Sequence, residues 1–154
     1  MTFFNLTPVT KRALESALTE PSAYTQVKDI LEKSGLTAVS VTGDTTLALA
    51  THSVQVGKYV EVDGDDKTLT LPAVTVGSSY IIVNKRADAS SGVTISPNSS
   101  DKFLVDIAGA AGTDNKDIVN TKATSKKNDY VHLIGLSSAG WLIHDVRGTW
   151  VDES

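Results

Sequence analysis

The chain has 154 residues and a formal net charge of -4, from 14 basic and 18 acidic side chains, and it contains no cysteine. The lack of cysteine excludes disulfides and thiolate chemistry, and the acidic balance argues against nucleic-acid and membrane-surface binding. A chain of this length is expected to form one domain, or one domain with an N-terminal attachment, and to need no cross-links.

Residues 1–36 predict an N-terminal arm that carries a helical hairpin. Thr7 suits a helix N-cap and Pro8 suits the first helical position, and apolar side chains then recur with helical spacing. A second amphipathic helix is expected to end at Gly35, because glycine is a common C-terminal stop. No apolar run approaches the ~20 residues that cross a bilayer, and the N-terminus lacks the pattern of a secretory signal.

The tip of this arm carries three large apolar side chains, Phe3, Phe4 and Leu6. Two adjacent aromatic residues are unusual in a free chain end. They either pack on the body of the same chain or dock on a neighbouring subunit. The second alternative makes all three candidate interface residues.

Residues 37–154 predict a β domain, because apolar and polar residues alternate from Thr37 onwards. Each short run is closed by Gly, Pro, Asn, Asp or Ser, as in strands joined by tight turns. Asp63-Gly64 is a strong signal for a two-residue hairpin, since glycine takes the positive φ that such a turn requires. The predicted strands lie at 39–42, 45–50, 54–56, 59–62, 68–71, 80–83, 93–95, 103–105, 130–136 and 141–146.

About nine to eleven strands predict a mainly β fold, namely an antiparallel β-sandwich or jelly-roll-like body with a short N-terminal helical arm. Residues 80–83 are nearly all apolar, as in a strand buried on both faces. The last two strands are expected to form a terminal hairpin, with Trp141 in the core. Trp150 is a candidate interface anchor, and the small-residue loop 108–115 is a usual place for contacts.

Three aspartates close together, Asp63, Asp65 and Asp66, could suggest a calcium loop. Such a loop needs acceptors at alternate positions and a closing glutamate, whereas Lys67 follows at once. We therefore interpret this segment as a turn. The glycines of the chain also match neither a dinucleotide-binding fingerprint nor a phosphate-binding loop.

The histidines are the residues that could best form a metal or catalytic site. His132 and His144 lie on the two arms of the predicted terminal hairpin and could face each other, but zinc requires a third ligand. Simple alternation along the strand places Asp145 on the face opposite to His144. No nucleophile elbow of the GxSxG type exists, so the sequence predicts no catalytic residue, no metal site and no cofactor.

Four segments in order, LPAVTVG, SYIIVNK, VTISPNSSDKF and DYVHLIGLSSAGWLIHD, are similar to a β module of tailed-bacteriophage virion proteins. The resemblance covers about half of the chain. The features that carry it are Leu71-Pro72, a turn at Gly77, an apolar strand from Tyr80 to Asn84, a strand and turn from Val93 through Pro97 to Asp101, and Gly140-Trp141.

This resemblance implies a non-enzymatic virion structural protein that is made in the host cytoplasm and located on the phage particle. We expect a capsid decoration (cement) protein that binds and stabilises the outer surface of the head as a homotrimer. Its partners would be copies of itself and the major capsid protein or another virion protein, with no nucleic acid and no membrane. The interface residues would be Phe3, Phe4, Leu6 and Trp150.

Two alternatives remain open. The first is a tail-fibre or receptor-binding module that recognises a glycan or protein on the host surface; the lack of visible long repeats favours decoration over this reading. The second is a small hydrolase, which would need a polar cleft with a histidine near an acid.

Overall fold

A computed structural model describes residues 31–137 and 140–153. Eleven β-strands lie within these ranges, so the chain is mainly β as predicted. A four-residue α-helix, Leu49–His52 (α1), and a 3-10 turn, Val54–Val56, lie between the second and third strands. The strands are Thr37–Val41 (β1), Thr45–Thr46 (β2), Lys58–Val62 (β3), Lys67–Thr70 (β4), Ser79–Asn84 (β5), Val93–Ser96 (β6), Lys102–Phe103 (β7), Ile118–Asn120 (β8), Tyr130–Ser137 (β9), Gly140–Arg147 (β10) and Trp150–Asp152 (β11).

The strands form two mixed sheets. The six-stranded sheet has the order β1-β3-β5-β9-β10-β7, and the five-stranded sheet has the order β11-β8-β6-β4-β2. Five of the nine neighbouring pairs are parallel. The prediction of an antiparallel, jelly-roll-like body is therefore corrected, because a jelly roll is built from antiparallel strands.

Parallel pairing arises because the chain alternates between the two sheets. β1 and β2, β3 and β4, and β5 and β6 form three successive rungs, each with one strand in each sheet. Thr37 pairs with Lys58 and Lys67 pairs with Val93, so one rung takes 21 to 26 residues. Repeats of this length are typical of solenoid proteins, and the first two rungs share the pattern Val-x-Val-x-Gly-Asp, at 39–44 and again at 60–65.

Antiparallel pairs continue the stack beyond the third rung, and β7 then pairs in parallel with β10 at the sheet edge. β8 and β9 lie beside β6 and β5 and run the opposite way, and β10 and β11 add a fifth rung beyond them. The predicted terminal hairpin is confirmed as β9 and β10. Short β8 and β11 were not predicted, because three-residue strands carry too little alternation to be recognised.

The two sheets share one hydrophobic core. Its buried side chains come from both sheets and include Trp141, which packs edge to face against Tyr80 with ring centroids 5.6 Å apart. A second cluster covers the outer face of the six-stranded sheet, the face turned away from the five-stranded sheet. It joins Leu31, Leu36 and Val54 to the outward side chains of β3, β5 and β9. All six residues of β5 are buried, which confirms the prediction of a strand covered on both faces.

The helix predicted to end at Gly35 does end there. Residues 31–33 are helical, Gly35 has φ of 85°, and the Leu36 amide donates to the Leu31 carbonyl over 3.1 Å. This is the left-handed glycine cap that satisfies the last helical carbonyls. The remainder of the predicted arm lies outside the described residues. No helix in the described ranges has the length and apolar character to cross a bilayer.

Three local predictions were wrong for physical reasons. Residues 54–56, predicted as a strand, form a 3-10 turn that Gly57 closes in the left-handed conformation by donating to the Val54 carbonyl. Thr45 to Ala50 is not one strand, because the chain leaves the sheet after Thr46 and forms α1 at its edge. Asp63-Gly64 does not make a hairpin, because β3 and β4 lie in different sheets and do not pair. Gly64 is instead required by close packing: a Cβ there would lie 2.4 Å from the Thr42 carbonyl oxygen.

We expect Gly64→Ala to destabilise the fold by about 1–3 kcal/mol, because the new methyl group forces the turn at 63–66 away from the Thr42 backbone. Gly43→Ala is the matched control in the preceding turn between the sheets, because its Cβ would meet nothing within 4 Å. Urea unfolding of both variants measures the difference. Equal midpoints for the two variants would contradict this account of Gly64.

Candidate functional site

Polar side chains join the turns at one end of the rung stack. The chain passes between the sheets at 42–44, 63–66, 85–92, 121–129 and 148–149, and we call the side chains that link these turns the corner network. Asp44 accepts from the Thr68 amide over 3.0 Å. Ser91 accepts from the Asp66 amide over 2.8 Å, and Asp66 in turn accepts from the Gly92 amide over 2.8 Å. Each contact ties one corner to the next.

The centre of the corner network is buried. Asn84, Asn120 and Asp129 are all fully buried. Asn84 donates to the Asn120 side-chain oxygen over 2.8 Å, and Asn120 donates to Asp129 Oδ2 and to the Thr149 carbonyl over 2.9 Å each. Because buried amides must be paired, this chain of hydrogen bonds fixes β5, β8, β9 and the last corner relative to one another.

Asp129 is the titratable group at the buried centre of this network. Burial raises the pKa of Asp129, although hydrogen bonds from the Lys126 amide and from Asn120 act in the opposite direction. Its Oδ1 atom has no hydrogen-bond partner among the described residues. A Cβ at Gly148 would lie 2.1 Å from that oxygen, so glycine is needed there for the close approach.

The aspartates considered for calcium belong to the same network. Asp63 lies 3.3 Å from the Lys85 ammonium, Asp65 lies 2.9 Å from the Arg86 guanidinium, and Asp66 lies 2.9 Å from Lys122. A carboxylate that already faces a cation is a poor ligand for a second one. Within the described ranges no three His, Asp or Glu side chains are placed to hold a metal ion.

A second polar cluster lies on the outer face of β9 and β10. The register shifts after Ile143, so that Asp145 pairs with His132 and His144 is the extra residue of a β-bulge. The bulge turns His144 towards His132, and their ring centroids are 5.0 Å apart and nearly perpendicular. Bulges commonly re-aim a side chain in this way.

The expectation that Asp145 lies on the face opposite to His144 is therefore wrong. Its carboxylate accepts from the Tyr130 hydroxyl over 2.5 Å, and Tyr130 shares the face of His132 because the two are separated by two positions in β9. Sequence alternation could not reveal this arrangement, since a single extra residue reverses every side chain beyond it.

The same cluster contains a serine–histidine hydrogen bond. Ser79 Oγ lies 2.7 Å from His132 Nε2, which is the distance expected between a nucleophile and its base. The third member of a triad would orient the other ring nitrogen of the histidine. Asp145 instead accepts from Tyr130 and from the Val146 amide. Burial and the nearby His144 lower the pKa of His132 to about 4, which makes it a weak base.

Of the four predicted interface residues, Trp150 alone lies in the part of the chain that the structure describes. Phe3, Phe4 and Leu6 lie outside the described residues. Trp150 is 4% exposed in the core between the sheets, and its indole nitrogen donates to the Arg147 carbonyl over 3.0 Å. This packing within its own chain leaves little of the indole for a partner.

The predicted contact loop 108–115 is held rigidly at its base. The Asp152 carboxylate accepts from the amides of Ile107 and Ala108 over 2.9 and 3.1 Å. Asp106 accepts from the Ala110 amide over 2.7 Å, and Val105 makes a single bridge with Ala111. The loop tip therefore presents a fixed shape to solvent.

No family model and no curated protein match this chain. The function is therefore argued from the resemblance of the strand and turn pattern and from the contacts described above.

The lowered pKa of His132 predicts that the free energy of unfolding falls in acid. Its value in the fold, about 4, lies below the ordinary 6.5, so the fold favours the neutral ring. Stability from this group is present above pH 6.5 and is lost as the pH falls towards 4, by roughly 3 kcal/mol. We expect His132→Gln to flatten the fall in unfolding free energy over this range, measured by urea titration. Parallel curves for the parent and His132→Gln would contradict this assignment.

The contributions of Asp129 and Asp88 to the free energy of unfolding are expected to depend on pH with opposite signs. A raised pKa in the fold means that the contribution of Asp129 is lost as the pH rises above about 4, so the stability of the parent relative to Asp129→Asn should fall from pH 4 to pH 7. A hydrogen bond from the Lys127 amide lowers the pKa of Asp88. The stability of the parent relative to Asp88→Asn should therefore rise with pH through the ordinary Asp range. Urea unfolding at several pH values tests both, and the same slope in both comparisons would refute the assignment.

Proposed function

We propose that this protein is a virion structural protein that decorates the outer surface of a phage head as a homotrimer. The order of strands and turns from Leu71 to Trp141 supports the proposal, because it resembles the β module of such proteins. The N-terminal arm, with Phe3, Phe4 and Leu6, is the proposed point of attachment to a neighbouring virion protein.

The single observation that carries the proposal is the loop 108–115, which hydrogen bonds hold at its base. A decoration protein contributes shape rather than chemistry, and a loop held by Asp152 at its base loses little conformational entropy when it binds. The small residues at its tip allow close backbone approach to a partner. Many copies that each bind weakly would add up on a repeating shell.

The non-enzymatic character of the protein is part of the proposal. The Ser79–His132 pair lacks an orienting carboxylate, and its weakly basic imidazole suits a structural hydrogen bond better than proton abstraction. A hydrolase would lose its activity on replacement of His132 or His144 by Ala. We expect purified protein to have no ester or peptide hydrolysis to lose.

A tail-fibre or receptor-binding module is the second candidate, and one observation favours it. Lack of long sequence repeats argued for decoration, yet three rungs of the fold repeat every 21 to 26 residues, and the first two share Val-x-Val-x-Gly-Asp. Stacked rungs of this type can extend a protein along one axis. The two candidates differ in what the protein binds.

Co-sedimentation distinguishes them. Purified protein is mixed with emptied, expanded phage heads and, in parallel, with host cells. We expect it to pellet with heads. The variant with Phe3, Phe4 and Leu6 all replaced by Ser should bind about tenfold more weakly, because apolar anchors dominate such contacts, while retaining the β-sheet circular dichroism of the parent.

Replacement of Thr2 and Asn5 by Ala is the control in the same segment, and it should leave binding intact. Binding to cells without binding to heads would establish the receptor-binding candidate instead. Binding to neither would refute both. Loss of folding in the serine variant would show that the arm belongs to the core and is not an attachment.

A further inference from the structure

The end of the six-stranded sheet opposite the corner network is built from three chain segments. Residues 53–57 lead into β3, residues 72–78 lead into β5, and residues 135–137 end β9. We call these three segments the open end. Because β3 and β5 run parallel to each other and antiparallel to β9, all three segments lie at the same end of these strands.

Hydrogen bonds hold the open end together as one surface. The Gln55 side chain donates to the Gly77 carbonyl over 2.5 Å and accepts from the Ser79 amide over 3.0 Å. The Gly77 amide donates to the Gly135 carbonyl over 2.7 Å, and the Gly135 amide donates to the Ser78 carbonyl over 2.8 Å. The apolar neighbours of these residues in the chain are thereby brought close together.

The open end contains no charged residue, although 21% of the residues in the chain are charged. Charged residues border it. Lys58 directly follows Gly57 in β3 and donates to the Thr37 hydroxyl, and Lys102 lies in the edge strand β7. The Asp101 carboxylate, which accepts from the Val74 amide over 2.8 Å, is buried beneath the surface. At the opposite end, the corner network is dense in carboxylates and cations. An uncharged centre with a charged rim is typical of a protein–protein interface.

The open end also exposes apolar surface. Val76 is 66% exposed, Leu136 is 54% exposed and Val56 is 44% exposed. Three aliphatic side chains of this size make a patch on the order of a few hundred Å². That is less than the ~800 Å² that each partner contributes to a stable standard interface, so the contact that it supports would be weak and dependent on concentration.

We propose that the open end is the surface through which copies of this chain bind one another, an inference that deepens the proposed homotrimer and rests on it. A net charge of -4 opposes close approach of two copies elsewhere on the surface. The uncharged open end meets its own copy without this repulsion, and it holds the carboxylates of the corner networks apart. Around a closed symmetry axis the same patch of every copy is buried.

Analytical ultracentrifugation of purified protein over a range of concentrations tests the inference. We expect the parent to assemble as its concentration rises. Val76→Asp and Val56→Asp each place a carboxylate in the contact, and each should weaken assembly at least ~10-fold or abolish it. Val151→Asp and Val146→Asp are matched controls, because these valines are 43% and 39% exposed but lie away from the open end.

The outcomes separate this inference from the proposed function. Assembly that is lost in the two open-end variants and kept in the two controls supports the inference, provided that all four retain the thermal unfolding midpoint of the parent. Assembly that persists in every variant shows that another surface is used, and the head-binding proposal is unaffected. A parent that stays monomeric at every concentration overturns the inference, while binding to heads is still decided by co-sedimentation.

Discussion

The fold depends on one buried chain of hydrogen bonds, from Asn84 through Asn120 to Asp129. Two sheets that share an apolar core can slide over each other at small cost, because hydrophobic contact has no direction. Buried amides and carboxylates do have direction, and each loses its hydration when the core forms. Asn84 ends a strand of one sheet and Asn120 ends a strand of the other, so their hydrogen bond sets the alignment of the two sheets. The raised pKa of Asp129 is a cost of that arrangement.

The features of the fold that could be predicted are those that depend on residues close together in the sequence. The burial of β5 and the terminal hairpin were predictable, because the apolar run Tyr80 to Val83 and a short connection are local properties. The parallel pairing of β1, β3 and β5 was not predicted. The pattern Val-x-Val-x-Gly-Asp at 39–44 recurs at 60–65 and could have indicated the first pair, but it does not recur before β5. Asp63-Gly64 shows the limit clearly. Its residue types suit a hairpin, yet Gly64 is needed for contact with Thr42 in the previous rung.

The outer-face cluster shows the same limit for a site. The sequence indicated that His132 and His144 could meet, and they do. It placed Asp145 on the wrong face, because no residue type marks a bulge and one inserted residue changes the direction of all that follow. The Ser79–His132 contact joins residues more than 50 positions apart and no short motif could have found it. The difference between the two ends of the stack, one charged and one uncharged, likewise could not be predicted, because the strand topology decides which turns lie at each end.

The position of β9 in the chain affects how this protein folds during its synthesis on the ribosome. The first three rungs can assemble as they are synthesised, but β5 pairs on its far side with β9, which follows after nearly 50 further residues. Until then a strand with four consecutive apolar residues, Tyr80 to Val83, offers unpaired amides and carbonyls along one side, which is a template for aggregation. Distant pairing of this kind also slows folding. Nascent chains that stall between these strands are therefore the ones most exposed to capture by chaperones or by each other.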